Sequence, residues 1–142
     1  DISFAVSTPT GLVVPPINNI ESLGFADIEK NLKALAGRAR DNKLSIDGMS
    51  GGTFTITNGG VFGSMLSTPI INQPQVGIIS TDAIVRKPVV TKGPDGGEAI
   101  AIHPVGNLAM SWDHRAFDGA YAAGFLKRVK EILETKDWST EL

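Results

Sequence analysis

The residues best suited to chemistry lie between Ser111 and Gly119, where a predicted strand ends and a predicted helix begins. The imidazole of His114 precedes the carboxylate of Asp118 by four residues. A neutral imidazole can accept a proton near neutral pH, so His114 is a residue that could take part in chemistry. Asp118 is also a candidate helix N-cap, because an Asp carboxylate accepts the free amide hydrogens of a first turn. By local pattern alone, His114 can equally be a loop residue paired with Asp113.

A threonine at the end of another predicted strand is the second candidate. Residues 53–57 alternate threonine with apolar side chains, which places Phe54 and Ile56 on one face and three threonines on the other. The glycines that follow Asn58 end this strand. By pattern alone, Thr57 is an ordinary strand residue beside a turn, since β-branched side chains favour strands.

The sequence contains no cysteine and two histidines. The lack of cysteine excludes disulfides, a cysteine nucleophile and a cysteine-ligated metal in this chain. Two histidines are too few for a multi-histidine zinc site, so no metal site is predicted. A thiol that reacts here must therefore arrive on a substrate. His103, which precedes Pro104 at a predicted strand end, has no partner motif and is predicted to be structural.

The charge balance excludes one class of partner. Thirteen basic and fifteen acidic side chains give a net charge of −2, without the clustered positive surface that nucleic-acid binding needs. The short cluster at Lys127, Arg128 and Lys130 predicts a solvated helix face. No apolar run approaches the ~18–20 residues that cross a bilayer, and no signal-peptide pattern is seen, so we expect a cytosolic or organelle-matrix protein. The 142 residues fit one domain, and the strand-like start without a methionine indicates a piece of something longer.

Hydrophobic periodicity predicts a sheet and two amphipathic helices that position these candidates. The first helix covers residues 24–41, with Ser22 as a cap near its start, and the second begins near Gly119 or Ala120. Residues 61–75 predict a long loop with packed apolar side chains. Strands are predicted at residues 2–7, 11–16, 53–57, 76–80, 83–91, 98–103 and 105–112.

A histidine followed three residues later by Asp-Gly, at a strand-to-helix connection, resembles the signature of coenzyme A-dependent acyltransferases. This group includes chloramphenicol acetyltransferase and the dihydrolipoamide acyltransferases of the 2-oxo acid dehydrogenase complexes. Nearly the whole chain resembles the second family, and the similar segments occur in the same order and at the same spacing. The matching segments are Gly11–Pro15, Phe25–Lys30, Arg38–Asp41, Gly51–Gly60, Thr68–Asn72 and Asp113–Arg115.

The resemblance implies an α/β two-layer sandwich, a mixed β-sheet flanked by helices. It also implies that residues 1–142 are the C-terminal part of one acyltransferase catalytic domain, truncated at its N-terminus. The run Thr57–Ser64 is most similar to the succinyl-transferring branch, which serves the 2-oxoglutarate complex of the tricarboxylic acid cycle. Ala116-Phe117 replaces two aliphatic residues of that branch, so acetyl and branched-chain acyl transfer stay open as alternatives.

The resemblance also implies roles for the candidate residues. His114 is the base that ionises a thiol, Thr57 donates a hydrogen bond to the oxyanion, and Asp118 holds the loop and supports His114. His114 and Thr57 meet across a subunit interface, so a monomer has no complete site. We expect coenzyme A as a substrate, with coenzyme-binding residues that the sequence does not identify, and a lipoyl group carried on a separate domain.

The same family pattern implies an assembly. The chain is expected to form a homotrimer that builds a larger core. The expected partners are the lipoyl domain, a 2-oxo acid decarboxylase and dihydrolipoamide dehydrogenase, without nucleic acid or membrane. The implied location is the bacterial cytoplasm or the mitochondrial matrix.

Three other functions compete with this interpretation. A Ser/His/Asp hydrolase is disfavoured because the sequence has no Gly-x-Ser-x-Gly elbow. A nucleotide-binding module, suggested by the glycines of residues 59–63, lacks the Lys-Ser/Thr of a P-loop, and Pro69 interrupts the helix that should follow. A core subunit that keeps the fold without catalysis remains open, since the presence of His114, Asp118 and Thr57 does not prove turnover.

Overall fold

The computed structural model describes residues 1–141, and it contains nine strands and two α-helices in that part of the chain. The helices are α1 (Phe25–Arg40) and α2 (Gly119–Thr135). The strands are β1 (Ile2–Phe4), β2 (Val6–Thr8), β3 (Gly11–Val13), β4 (Pro16–Ile17), β5 (Phe54–Asn58), β6 (Gly77–Thr81), β7 (Val85–Lys92), β8 (Glu98–Val105) and β9 (Leu108–Trp112). None of the helices in residues 1–141 is long and apolar enough to span a membrane.

Five of the strands form one mixed sheet in the order β4-β1-β5-β6-β9. β1, β5 and β6 run parallel, whereas β4 and β9 pair antiparallel at the two edges. The pairs β2-β3 and β7-β8 form separate antiparallel ribbons. A mixed sheet with helices confirms the predicted fold class.

The two faces of β5 carry different chemistry, as its alternating sequence predicted. On one face the ring of Phe54 packs against Phe125 of α2, with a centroid distance of 6.0 Å. On the other face Thr55 is completely buried, and its hydroxyl donates to Gln75 Oε1 at 2.6 Å. Gln75 Nε2 in turn donates to Ser3 Oγ on β1 at 3.2 Å. This polar chain satisfies buried hydroxyls that would otherwise cost free energy.

Some predicted element boundaries were wrong. The predicted strands 2–7 and 11–16 each divide in two, because the chain leaves the β2-β3 ribbon to pair β4 with β1. Pro16 tolerates this position because β4 is an edge strand. Ser22 does not cap α1: its hydroxyl donates to Asn19 O at 2.8 Å, and Gly24 occupies the cap position. Val105 belongs to the end of β8 rather than to the start of β9.

The prediction of a packed loop over residues 61–75 was also wrong. Phe62 is 82% exposed and Ile70 is 91% exposed, because no other element of residues 1–141 covers them. The loop is nevertheless tethered to the sheet at polar points. The buried carboxylate of Asp82 accepts from Ser67 Oγ at 2.6 Å, and Asn107 Nδ2 donates to Met65 O at 2.7 Å.

Gly60 directly precedes this loop and lies close to the backbone of the segment that follows β6. A Cβ at Gly60 would lie 2.6 Å from the carbonyl carbon of Asp82 and 2.7 Å from the amide nitrogen of Ala83.

We expect Gly60→Ala to lower the free energy of unfolding by ~1–3 kcal/mol, since neither backbone atom can move away freely. Gly124→Ala is the matched control, because a Cβ there meets nothing within 4 Å in the middle of α2. The control should gain ~0.5–1 kcal/mol from helix propensity. Urea unfolding measures both, and equal stability of the two variants would contradict the predicted contact.

Candidate active site

The turn that carries His114 is held by an ion pair between its neighbours. Asp113 Oδ1 accepts from Arg115 N at 2.9 Å and Nε at 3.0 Å, while Oδ2 accepts from Nη2 at 2.7 Å. These hydrogen bonds to Arg115 lower the pKa of Asp113 to about 2, and the same contact raises the pKa of Arg115. The interpretation that His114 pairs with Asp113 was therefore wrong, because Arg115 occupies both carboxylate oxygens.

His114 itself is exposed on this turn. Its ring lies against Trp112, with a centroid distance of 5.9 Å and an interplanar angle of 34°. Trp112 is fixed in turn, because its indole Nε1 donates to Phe117 O at 3.1 Å. Within residues 1–141 neither imidazole nitrogen has a hydrogen-bond partner. The turn thus presents a supported imidazole whose nitrogens are open to another molecule.

Asp118 begins the helix that follows. Its Oδ1 accepts from Tyr121 N at 2.9 Å, which is N-cap geometry and confirms the capping interpretation. Phe117 and Tyr121 pack edge to face across this cap, with a centroid distance of 5.4 Å. The contacts described for Asp118 are with the first turn of α2, and no hydrogen bond joins it to His114 in residues 1–141. Asp118 thereby fixes where the His114 turn ends.

Thr57 lies on the threonine face of β5, in a cleft of about 300 Å³. The register pairs Thr57 with Ser80 of β6, so the two side chains share this face of the parallel pair. The remaining wall is largely apolar, with Leu12, Val14 and Ile70 among its residues. Within the described chain the Thr57 hydroxyl has no hydrogen-bond partner, although its carbonyl accepts a long contact of 3.5 Å from Thr81 Oγ1.

His114 and Thr57 do not meet within one chain. Thr57 lies level with Ser80 and Ala109, whereas Trp112 pairs with Gly77 near the opposite end of the sheet. At a rise of ~3.3 Å per residue and ~4.8 Å between strands, the backbones of Thr57 and Trp112 are on the order of 14 Å apart. Their side chains also point to opposite faces, because Trp112 shares a face with Gly77 rather than Ser80. A site that uses both residues therefore needs two chains.

Sequence reasoning did not single out Ser80. It is completely buried, and its hydroxyl has no hydrogen-bond partner among residues 1–141. The signal in the sequence was a single hydroxyl closing the otherwise apolar run of residues 76–79, which predicted only a buried strand. A buried polar group without a partner costs roughly 1–3 kcal/mol, so its retention beside Thr57 calls for an explanation.

Other parts of the molecule offer less chemistry. A larger open cavity of about 920 Å³ lies between α2 and the base of the β7-β8 ribbon, with Lys127 and Lys130 on its wall. Among residues 1–141, no group of three or more histidine, aspartate or glutamate side chains could hold a metal ion. His103 is exposed on β8, opposite Lys87 of β7.

Comparison with known sequences identifies the family. The sequence model of the family described as 2-oxoacid dehydrogenases acyltransferase (catalytic domain) matches residues 1–139. The succinyltransferase component of the 2-oxoglutarate dehydrogenase complex of Escherichia coli K12 is 51% identical over 134 residues, which cover 94% of this chain and 32% of that protein. The mitochondrial component from Bos taurus is 49% identical over the same length, covering 28% of that protein. The chain thus spans about a third of the length of these curated relatives.

Solved structures agree with the sequence comparison. A probable dihydrolipoamide acetyltransferase from Listeria monocytogenes superposes with a TM-score of 0.86 at 41% identity, over 94% of this chain and 55% of that one. The Azotobacter vinelandii dihydrolipoamide acetyltransferase gives 0.86 at 39% identity, over 94% and 53%; it was studied for the role of a serine, a histidine and an asparagine in its catalytic mechanism. The fold, the turn and these matches agree: the chain belongs to the 2-oxoacid dehydrogenase acyltransferase family, with residues 1–139 matching its catalytic domain.

Proposed function

We propose that this chain carries the base and the oxyanion donor of an enzyme that transfers a succinyl group between a dihydrolipoyl thiol and coenzyme A. The observation that carries the proposal is the turn of residues 113–118, which presents an imidazole with open nitrogens on a rigid support. The acyl group follows from the curated succinyltransferases, which are 51% identical to the chain. Acetyl transfer is the second candidate, since the solved relatives at 41% and 39% identity are described as a probable acetyltransferase and an acetyltransferase.

His114 acts first, as a general base. An aliphatic thiol has a pKa of ~8.5, so only a few per cent is thiolate at neutral pH. The neutral imidazole removes the S–H proton within hydrogen-bond reach, and the thiolate attacks the thioester carbon. When the tetrahedral intermediate collapses, the old C–S bond breaks, and the imidazolium returns the proton to the departing thiolate. His114 is therefore regenerated in each turnover.

Thr57 acts on the oxygen of the same intermediate. Attack turns the carbonyl oxygen into an oxyanion, and a fixed hydroxyl donor stabilises that charge more than it stabilises the ground state. The largely apolar walls of the cleft lower the local dielectric around the donor, which strengthens this interaction. Asp118 supports the reaction indirectly, because its cap fixes the position of the turn before α2.

The complete site forms between subunits of a homotrimer. The separation of Thr57 and His114 within one chain supports a site shared by two subunits, and the family resemblance implies the trimer. The exposed apolar side chains of the loop, Phe62 and Ile70 among them, provide surface for such an interface. A solved relative at 38% identity and a TM-score of 0.86 is the cubic core of the pyruvate dehydrogenase multienzyme complex, which supports a larger core built in the same way.

The substrates and partners follow from the same proposal. Coenzyme A is one substrate, and the lipoyl group arrives on a separate domain. A 2-oxo acid decarboxylase and dihydrolipoamide dehydrogenase complete the complex. Residues 1–142 are the C-terminal part of one catalytic domain, consistent with their coverage of 55% of the Listeria chain. Bacterial and mitochondrial relatives support a location in the bacterial cytoplasm or mitochondrial matrix.

His114→Ala tests the general base. We expect a ~100- to 10,000-fold loss of succinyl transfer to free dihydrolipoamide, because the thiol loses its proton acceptor. The rate is measured in the complete natural protein, with acetyl-coenzyme A as the competing donor. His103→Ala is the matched control, since that exposed histidine lies on β8 away from the turn, and it should stay within about twofold of the unmodified protein. A loss below tenfold for His114→Ala would reject the assignment, and an inactive unmodified protein would favour a non-catalytic core subunit.

Mixing two inactive variants tests the intersubunit site. We expect Thr57→Ala to lose ~100- to 1,000-fold in rate, the usual effect of removing an oxyanion donor. If trimers are reassembled from equal amounts of Thr57→Ala and His114→Ala subunits, about a quarter of the interfaces pair an intact His114 with an intact Thr57, given heterologous contacts. Activity should therefore return to roughly a quarter of the unmodified level. Trimers of either variant alone, treated identically, are the controls, and no recovery in the mixture would place both residues in one chain.

The Asp113–Arg115 pair predicts how the turn responds to pH. The pKa of Asp113 is lowered from its ordinary value of 3.8 to about 2 in the folded chain. The pair therefore stabilises the turn fully above about pH 4, and this contribution is lost as the pH falls through about 2. The carboxyl carbon shift of Asp113, followed by NMR, should titrate near 2 in the unmodified protein and closer to 3.8 in Arg115→Gln. A titration near 4 in both proteins would show that Arg115 does not engage the carboxylate in solution.

A further inference from the structure

The cleft on the threonine face of β5 is lined by several hydroxyl side chains. Within the described chain two neighbouring ones, those of Thr57 and Ser80, lack the hydrogen bonds to other side chains that the remaining hydroxyls make. Thr55 donates to Gln75 at 2.6 Å, and Ser67 donates to Asp82 at 2.6 Å. Thr57 and Ser80 have no side-chain partner among residues 1–141. Both line the same cleft, so the unengaged hydroxyls are concentrated at one place on the sheet.

The sheet register places these two hydroxyls beside each other. Thr57 and Ser80 are direct partners on the parallel strands β5 and β6, whose backbones lie ~4.8 Å apart. Side chains paired in this way point to the same face, and Thr–Ser pairs on neighbouring strands can form hydrogen bonds. A serine side chain has three staggered rotamers, so rotation about one bond can bring Ser80 Oγ towards Thr57 Oγ1.

We propose that Ser80 is a positioning residue for Thr57: its buried hydroxyl donates to Thr57 Oγ1 and leaves the Thr57 proton directed at the substrate oxygen. This inference rests on the proposed function of Thr57 as the oxyanion donor. It adds a residue on β6 that acts through Thr57 and does not touch the substrate.

The count of protons explains why this arrangement suits the reaction. A threonine hydroxyl has one proton, and it serves the oxyanion only if that proton is not spent on a neighbouring protein acceptor. When Ser80 donates to Thr57 Oγ1, one lone pair of Thr57 is occupied and its own proton is left for the ligand. Chained hydroxyls also polarise one another, which strengthens the terminal donor. The buried proton of Ser80 gains the acceptor that it otherwise lacks.

A purely structural role for Ser80 is the alternative. A structural hydroxyl makes hydrogen bonds that hold the fold, as Ser67 does through Asp82. The Ser80 hydroxyl makes none among residues 1–141, so its removal breaks no bond there. A positioning role therefore predicts a loss of rate without a loss of stability, whereas a structural role predicts the reverse.

Ser80→Ala tests the proposal in the complete, assembled natural protein. We expect kcat for succinyl transfer from succinyl-coenzyme A to dihydrolipoamide to fall ~10-fold, within the range for coupled neighbouring residues. KM should stay within about twofold, since Ser80 does not contact the substrate. In the ligand-free protein the unfolding temperature should be unchanged or higher, because there the Ser80 hydroxyl has no hydrogen-bond partner among residues 1–141. Ser67→Ala is the matched control from the same cleft and should lower the unfolding temperature.

The Thr57→Ala background decides whether Ser80 acts through Thr57. In that background, Ser80→Ala should change kcat by less than about twofold, because the hydroxyl that it positions is gone. A crystal structure of the protein with a bound acyl-coenzyme A should show Ser80 Oγ and Thr57 Oγ1 within about 3.2 Å.

The outcomes separate this inference from the proposed function. The positioning role of Ser80 is overturned if Ser80→Ala leaves kcat unchanged, lowers kcat equally with and without Thr57, or acts only by lowering the unfolding temperature. In each of these cases the oxyanion role of Thr57 is unaffected. If Thr57→Ala has no effect on a working enzyme, the oxyanion role of Thr57 is rejected and the inference falls with it. If the unmodified protein transfers no acyl group, the proposed function itself is rejected. Two hydroxyls that remain more than about 4 Å apart in the liganded crystal also overturn the inference.

Discussion

The hydrogen-bonded register of β5, β6 and β9 is the constraint on which the rest of this molecule depends. It pairs Thr57 with Ser80 and Ser80 with Ala109, which fixes these residues at one level of the sheet. The same ladder places Trp112, and with it the His114 turn, near the other end and on the opposite face. A shift of one residue would reverse every side chain on the strand, and the different partners of the two faces, Phe125 for Phe54 and Gln75 for Thr55, oppose it. The separation of His114 from Thr57 is thus built into the backbone pairing.

The turn after β9 holds the proposed base, His114, without a hydrogen bond to its imidazole among residues 1–141. Arg115 engages both oxygens of Asp113, and the indole of Trp112 is tied to Phe117 O. Asp118 caps α2 and so fixes the far end of the turn. These contacts hold the backbone on either side of His114, while the imidazole itself packs only on one aromatic ring. Preorganisation of this kind lowers the entropic cost of placing a base beside an incoming thiol.

The central sheet and the loop after β5 differ in which of their groups are buried. In the central sheet, polar side chains are linked by hydrogen bonds, as in the series from Thr55 through Gln75 to Ser3. The loop after β5 instead exposes Phe62 and Ile70, although Asp82 ties it firmly to the sheet. A loop that is tethered through polar groups but apolar at its surface is suited to a protein partner. Such a surface supports the proposal of a site shared by two subunits.

The sequence by itself determined the family and the types of the helices and main strands, and it singled out His114, Asp118 and Thr57 as candidates for the site. Periodicity identified α1, α2 and the two-faced β5, because a side chain's direction depends on the local repeat alone. Local cap chemistry likewise identified Asp118. Only the tertiary structure decided that Arg115, rather than His114, binds Asp113, that Ser22 is not a cap, and that the loop of residues 61–75 is exposed. It also decided that the buried hydroxyl of Ser80 lies beside Thr57, because strand register and the partners of a polar group are set by contacts between residues distant in the chain.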